Sequence, residues 1–466
     1  MTDTSAPHAR DLETGDLETL DTLIAQQEKL LVSRMTRSFE LRETARETLA
    51  GGVASSWQDS VPGAIWIEYG RGQMIRDADG NDYVDMHGGF GVGLAGHGHP
   101  AIVEAVARRA RLGTHFGQPT EDLIVVSRLL RERFGLPVWR FGNSGTEATM
   151  DAVHLMRVAT GRKKIIKVEG SYHGHHDSVQ VSTYSAEGDI GPDDAPRSVA
   201  FGPAYPSEVV DLTIVVPFGD LEAVRRVLEA HPGEIAGMII EPIMMNIGMI
   251  TAEPGYHAAL KELLHAHGAY LTYDEVKTGL AVAPGGATEL YGVLPDIVCL
   301  AKAMGGGVPC GAIGATAELM ELIADNIYQQ VGTFNGNPLT MAAVRAMLTE
   351  VLTPDAYAHL DAMRAHMADG VTELMARYDI PGYVASAGAK GSVIFTDQLR
   401  NYRDFLKYAD QWGHAHWLYQ VNGGIFLPPW GKTEQFTLSV QHTMEDARRF
   451  VGNFESLCRA VRGGAR

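Results

Sequence analysis

The sequence predicts an α/β protein: a mostly parallel sheet buried on both faces, with a smaller α+β part formed by the two ends of the chain. Three observations carry this. From about residue 100 short apolar runs alternate with helical patterns, which is how βα units read. After about residue 345 long helical stretches take over. Ahead of both, a DG turn in MIRDADGNDYVDM (74–86) separates two short β-type runs, a hairpin pattern. These shifts divide the chain into 1–95, 96–345 and 346–466.

Taken in order, residues 1–16 are expected to fray. Leu20, Ile24, Leu31, Met35 and Phe39 recur at helical spacing and predict one amphipathic helix. KKIIKV (163–168), LTIVVPF (212–218), IAGMII (235–240), AYLTY (269–273), IVCL (297–300) and CGAIGA (310–315) are the expected strands. HAALKELLHAHG (257–268) is a connecting helix stopped by Gly268. GSVIF (391–395), GGIFLPP (423–429) and a helix from Met444 close the chain.

The bulk numbers exclude several partners. With 39 basic against 57 acidic residues the net charge is −18, which repels nucleic acid and anionic membranes. No stretch stays apolar long enough to span a bilayer and the first residues have no apolar leader core, so a soluble cytoplasmic protein is expected. Cys299, Cys310 and Cys458 are scattered and odd in number, which suits buried thiols in a reducing compartment.

Four constellations could carry chemistry. Lys302 follows an apolar strand and precedes three glycines in LAKAMGGGVPCG. A lysine partly withdrawn from water gives up its proton more easily and becomes a nucleophile toward aldehydes; the bland alternative is a surface lysine at a turn. In AYLTYDEVKTG the acidic pair Asp274 and Glu275 closes a strand, and ligands of open parallel sheets gather at carboxyl ends. A carboxylate about 4 Å from a ring nitrogen favours the protonated ring by about 4 kcal/mol at an effective dielectric of about 20, before desolvation. A carboxylate at a helix N-terminus is the other reading of Asp274. In RFGNSGTEATM (140–150), Asn143 and Ser144 can cap a helix whose first N–H groups, at Gly145 and Thr146, would hold a phosphate, although capping alone explains the spacing equally well. GSYHGHHDS (170–178) packs three histidines and an aspartate into five positions. A metal-dependent protein built on His173–His176 is one reading. The ligands are too tightly spaced for one tetrahedral ion, however, and Tyr172 offers an aromatic face at a strand end for a planar ring.

Together these segments resemble the class III aminotransferases, fold-type I enzymes that use pyridoxal 5′-phosphate, and among them the glutamate-1-semialdehyde aminomutase-like branch. The resemblance runs from about Gly51 to His442 through DADGNDYVD, GHGHP, NSGTEATM, GRKKIIKVEGSYHGHHDS, EPIMMNIG, YDEVKTG, LAKAMGGGVPCGAIG and GTFNGNPLTMAA. It implies a large domain with a mostly parallel seven-stranded sheet, and Lys302 as the lysine that forms the aldimine and moves protons. It further implies Asp274 on the pyridine nitrogen, Val276 and Tyr172 on the two ring faces, and Asn246 near the ring. Ser144, Gly145 and Thr146 would serve the phosphate, joined by Thr333 across a homodimer interface, with His173 beside the coenzyme and no metal. Lys277 and Ala281 depart from the branch, which makes Lys277 a rival aldimine lysine on spacing alone. In Gly51–Gln58 the aminomutase arginine is replaced by Gln58, whereas Glu434 falls where the aminomutase has an active-site glutamate. Ser55, Trp57, Gln58 and Glu434 are thus the candidate substrate residues, and the pocket is expected to be less cationic and more apolar than the aminomutase's.

The reading that follows is a transaminase that moves an amino group from an amino acid, β-amino acid or amine to a carbonyl acceptor. An aminomutase transferring the group within one molecule, and a racemase, are the alternatives that share the Lys302 proton shuttle.

Overall fold

The computed structural model describes residues 14–429 and 435–463. Of the stretch expected to fray, residues 1–13 lie outside the described residues, and the chain is already helical at Thr14. The helix expected to run unbroken through Phe39 is instead two, Thr14–Val32 and Thr36–Ala45. The reason is tertiary. Met35, which precedes the second helix, supplies no side-chain cap. Asp79, in the hairpin turn, takes that role by accepting from the backbone N–H groups of Arg37 and Ser38 at 2.5 and 3.0 Å.

The hairpin forms as expected. Strands β1 (Ile67–Arg71), β2 (Met74–Asp77) and β3 (Asp82–Asp85) are antiparallel neighbours. Asp77 fixes the turn by accepting from the N–H groups of Asp79 and Asn81.

The large sheet draws on β4 (Val138–Gly142), β5 (Lys164–Val168), β6 (Thr213–Val216) and β7 (Ile235–Ile240). A two-residue pair, β8 (Ile243–Met244) and β9 (Ile250–Thr251), stands apart from it. The sheet continues with β10 (Tyr270–Asp274), β11 (Ile297–Ala301) and β12 (Gly311–Ala315). Its order is β4-β12-β11-β10-β7-β5-β6, and β12 alone runs against its neighbours. Only nine residues separate Ala301 from Gly311, too few for the crossover that a parallel return needs. Strand β4 is absent from the expected runs because Arg140 in mid-strand breaks its apolar pattern.

Both faces are buried, and the pleat divides them. Ile239, Ile297, Cys299 and Ile313 pack with Ala152, Val153 and Met156 of the helix Gly145–Thr160. Their strand neighbours Met238, Ile240, Val298 and Leu300 join the other core, with Leu260 and Leu264 of the helix Tyr256–Ala266.

The C-terminal part begins with the long helix Pro354–Tyr378, followed by β13 (Tyr383–Ala387) and β14 (Lys390–Ile394). Strand β15 (Ile425–Phe426) lies parallel to β3, so the two ends of the chain share one sheet. Strand β16 (Phe436–Thr437) completes a second small sheet with β13 and β14, and the helix Met444–Val461 closes the fold. No helix among the described residues is long and apolar enough to cross a membrane.

Candidate active site

The carboxyl ends of β5, β7, β10 and β11 open on one cavity of about 360 Å³. Lys302, immediately after β11, lines it with φ at +46°, a left-handed backbone rare outside glycine and stored at functional sites. Lys277, the rival lysine, also lines the cavity and is buried, but it follows β10 in an ordinary conformation.

Asp274 ends β10 and is 5% exposed. Its Oδ1 accepts from the Val276 N–H at 3.0 Å, and its Oδ2 lies 2.7 Å from Nδ1 of His173. His173 therefore stands behind the carboxylate, and its buried Nε2 has no partner. Across the cavity, Tyr172 contacts Trp57 with ring centroids 4.9 Å apart. Burial, and then the charge of Asp274, pushes the Tyr172 phenol up to about 12, so it stays neutral at physiological pH.

The helix Gly145–Thr160 begins under a complete capping box, with Ser144 as cap and Glu147 reaching back. The cap accounts for Ser144 and Glu147; the Gly145 and Thr146 N–H groups have no acceptor within the helix, and both residues line the cavity. Gly145 also has a steric reason to be glycine, since a Cβ there would meet Val276 Cγ2 at 2.9 Å.

The other histidines diverge. His175 is exposed and pairs with Gln180, while His176 faces Thr149 and is pulled down to about 3 by burial. Among the described residues no group of three or more His, Cys, Asp or Glu is arranged to hold a metal ion.

Of the candidate substrate residues that are described, only Trp57 lines the cavity. Ser55 and Gln58 are exposed, and the Gln58 side chain turns back to accept from the Ala54 N–H at 3.0 Å. The short helical turn at Ser56–Gln58 points Trp57 inward and its neighbours outward. Glu434 lies outside the described residues. Thr333 is exposed and does not line this chain's own cavity. Sequence reasoning missed Glu241 and Met245 on the cavity wall. The signal for Glu241 was available: it follows the apolar strand IAGMII as Asp274 closes AYLTY. Cys310 is a wall residue whose thiol burial pushes up to about 12, so it remains protonated.

The described residues fit pyridoxal phosphate. They offer a helix N-terminus for the phosphate, a carboxylate for the ring nitrogen, apolar and aromatic walls, and two buried polar atoms, His173 Nε2 and Asn246 Oδ1, that lack partners. The family model described as aminotransferase class-III matches residues 54–434. This chain belongs to that family. A class III aminotransferase of this kind is a pyridoxal-phosphate enzyme of fold type I, in accord with the sheet and the cavity. A glutamate-1-semialdehyde 2,1-aminomutase 2 of Brevibacillus brevis is 38% identical over 422 residues, 89% of this chain and 96% of that protein. An omega-transaminase from Sphaerobacter thermophilus superposes with a TM-score of 0.86 at 33% identity, covering 91% of this chain and 97% of the other. A glutamate-1-semialdehyde aminomutase from Pseudomonas aeruginosa PAO1 gives 0.87 at 28%, covering 96% and 99%. The names of the curated relatives stand nearer to transfer within one molecule than to the intermolecular transfer first expected.

Proposed function

We propose that this enzyme moves an amino group within one small amino aldehyde of the glutamate-1-semialdehyde type, from C2 to C1. The observation that carries the reading is 38% identity along 96% of an aminomutase, joined to a cavity in which Lys302 and Asp274 sit at the ends of the adjacent strands β11 and β10. When bound, pyridoxal phosphate supplies the electron sink that makes the carbon bearing the amine acidic. The protein's part is positional. Gly145 and Thr146 anchor the phosphate, Asp274 holds the ring nitrogen's proton with His173 behind it, and Val276 and Tyr172 hold the ring faces. The Lys302 amine takes the proton from the substrate carbon and returns it at the neighbouring position. Among the described cavity-lining residues, Lys277 is the second lysine, and its side chain is of the kind that binds a substrate carboxylate.

A second reading, intermolecular transamination of an apolar amine or β-amino acid, is supported by the absence of arginine among the described cavity-lining residues and by Trp57 on the wall. One experiment separates the two. Purified holoenzyme given glutamate-1-semialdehyde alone should form 5-amino-4-oxopentanoate over many turnovers. If conversion occurs only with an amine and a keto acid supplied together, the transaminase reading replaces the first.

The enzyme is further proposed to work in the cytoplasm as a homodimer, with Thr333 completing the partner's phosphate site. Three unpaired buried cysteines support the compartment, and the exposure of Val331, Thr333 and Phe334 supports the interface. Sedimentation velocity checks the assembly; a monomer with full activity would overturn it.

A further inference from the structure

Glu241 is a buried carboxylate on the cavity wall that the mechanism leaves without a task. It follows β7 as Asp274 ends the adjacent β10, and it is 3% exposed. Its two oxygens gather three donors. Oε1 accepts from the Tyr172 backbone N–H at 2.9 Å and from Asn246 Nδ2 at 2.8 Å, and Oε2 accepts from the Met245 N–H at 2.8 Å. Two separate pieces of the cavity wall, the segment after β5 that carries Tyr172 and the segment after β7 that carries Asn246, are thus tied to one anionic group.

The Asn246 contact has a chemical consequence. An amide can turn either end toward a ligand, and here the carboxylate decides the matter, because it accepts only from the NH₂ end. Asn246 Oδ1 is left buried, without a partner, on the residue that lines the cavity. We infer that Glu241 is a positioning residue. It holds the Asn246 amide by one of its two N–H groups, and it fixes the backbone under the Tyr172 ring in the same act. The inference rests on the coenzyme site and is independent of which substrate the enzyme takes.

The test uses the full-length protein in its apo and reconstituted forms. Glu241→Gln keeps the shape but leaves one oxygen where three donors need two, so one wall segment loses its tie. The expected result is coenzyme affinity lower by about tenfold, the loss of one charge-assisted hydrogen bond. Induced visible circular dichroism of the bound coenzyme, which reports how its ring is held, should be weaker. Glu241→Asp keeps the charge and should recover part of both signals. Asn246→Ala should also weaken binding, and adding Glu241→Gln to it should cost less than Glu241→Gln alone, because part of the effect passes through Asn246. Should the Gln variant fail to fold, Glu241→Asp and Asn246→Ala carry the same cycle. Parental affinity and dichroism in a folded Glu241→Gln protein, or strict additivity in the double variant, would overturn the inference. Failure of the parent to bind pyridoxal phosphate would instead overturn the site itself.

Discussion

Two lysines of the central sheet make the instructive comparison. Lys167 lies within β5, fully buried, with Nζ donating to the Ser171 carbonyl at 3.0 Å, the Val181 carbonyl at 2.5 Å and Thr183 Oγ1 at 3.3 Å. Burial pulls it down to about 7, against some support from Glu241. By acidity alone it would be the nucleophile. Yet it does not line the active-site cavity, and its amine is spent on the chain. Lys302 is less buried, but it stands at a strand end, in a left-handed backbone, on the wall of the one cavity that Asp274 and the helix N-terminus share. A shifted pKa marks a desolvated group; access to a cavity marks a reactive one.

The comparison can be broken in four places. The largest effect is at Lys302: Lys302→Ala should lower turnover by roughly 10²–10⁴-fold, the scale of general acid–base catalysis, and abolish borohydride fixation of the coenzyme. Lys277→Met should retain that fixation. Loss of fixation in the Lys277 variant, with Lys302→Ala still competent, would exchange their roles. Next, Gly145→Ala puts a methyl group against Val276 and should weaken coenzyme binding by about tenfold, a cost on the scale of overpacking a tight contact, as measured by dialysis of the holoenzyme. Third, Lys167→Met should leave kcat near the parent while costing about 1–3 kcal/mol in urea unfolding, because the Ser171 and Val181 carbonyls lose their donor. A drop in kcat comparable to that of Lys302→Ala would undo the contrast.

The smallest effect concerns pH. The folded chain holds Lys167 near 7, below its unfolded value of about 10.4, so between those values the unfolded chain binds a proton that the folded chain does not. This contribution to stability is fully present above the unfolded value and is lost as pH falls toward 7. The stability difference between the parent and Lys167→Met should therefore grow from about pH 7.5 to about pH 10. A flat difference in urea titrations at those two pH values would mean that Lys167 keeps its charge throughout.

What the sequence disclosed follows physical range. The central strands were legible because burial on both faces demands continuous apolar runs, and Asp274 because a charge closing such a run has to face something. Glu241 and Glu169 close β7 and β5 in the same way, and the rule that found Asp274 extends to both. Glu169, which pairs with Arg403 at 3.0 Å, shows that a strand-end carboxylate can also face a segment far along the chain. The break after Val32 was not legible, because its cap, Asp79, is distant in sequence. Nor could spacing tell that Trp57 turns inward while Ser55 and Gln58 turn out, since a single helical turn decides all three. Outside the large sheet, the smaller part was expected to draw on both ends of the chain, and β15 pairs with β3 from the first hundred residues.

That pairing bears on how the protein is made. Ile425 meets Val84, about 340 positions apart, a separation that lengthens the search for the native arrangement. Until nearly the whole chain has left the ribosome, β3 keeps an open edge of the kind that recruits foreign strands. The nascent enzyme therefore spends most of its synthesis with one edge of β3 uncovered. A cell that makes it fast would gain from a chaperone waiting at that edge, and fragments that end before residue 425 should aggregate where the full chain stays in solution.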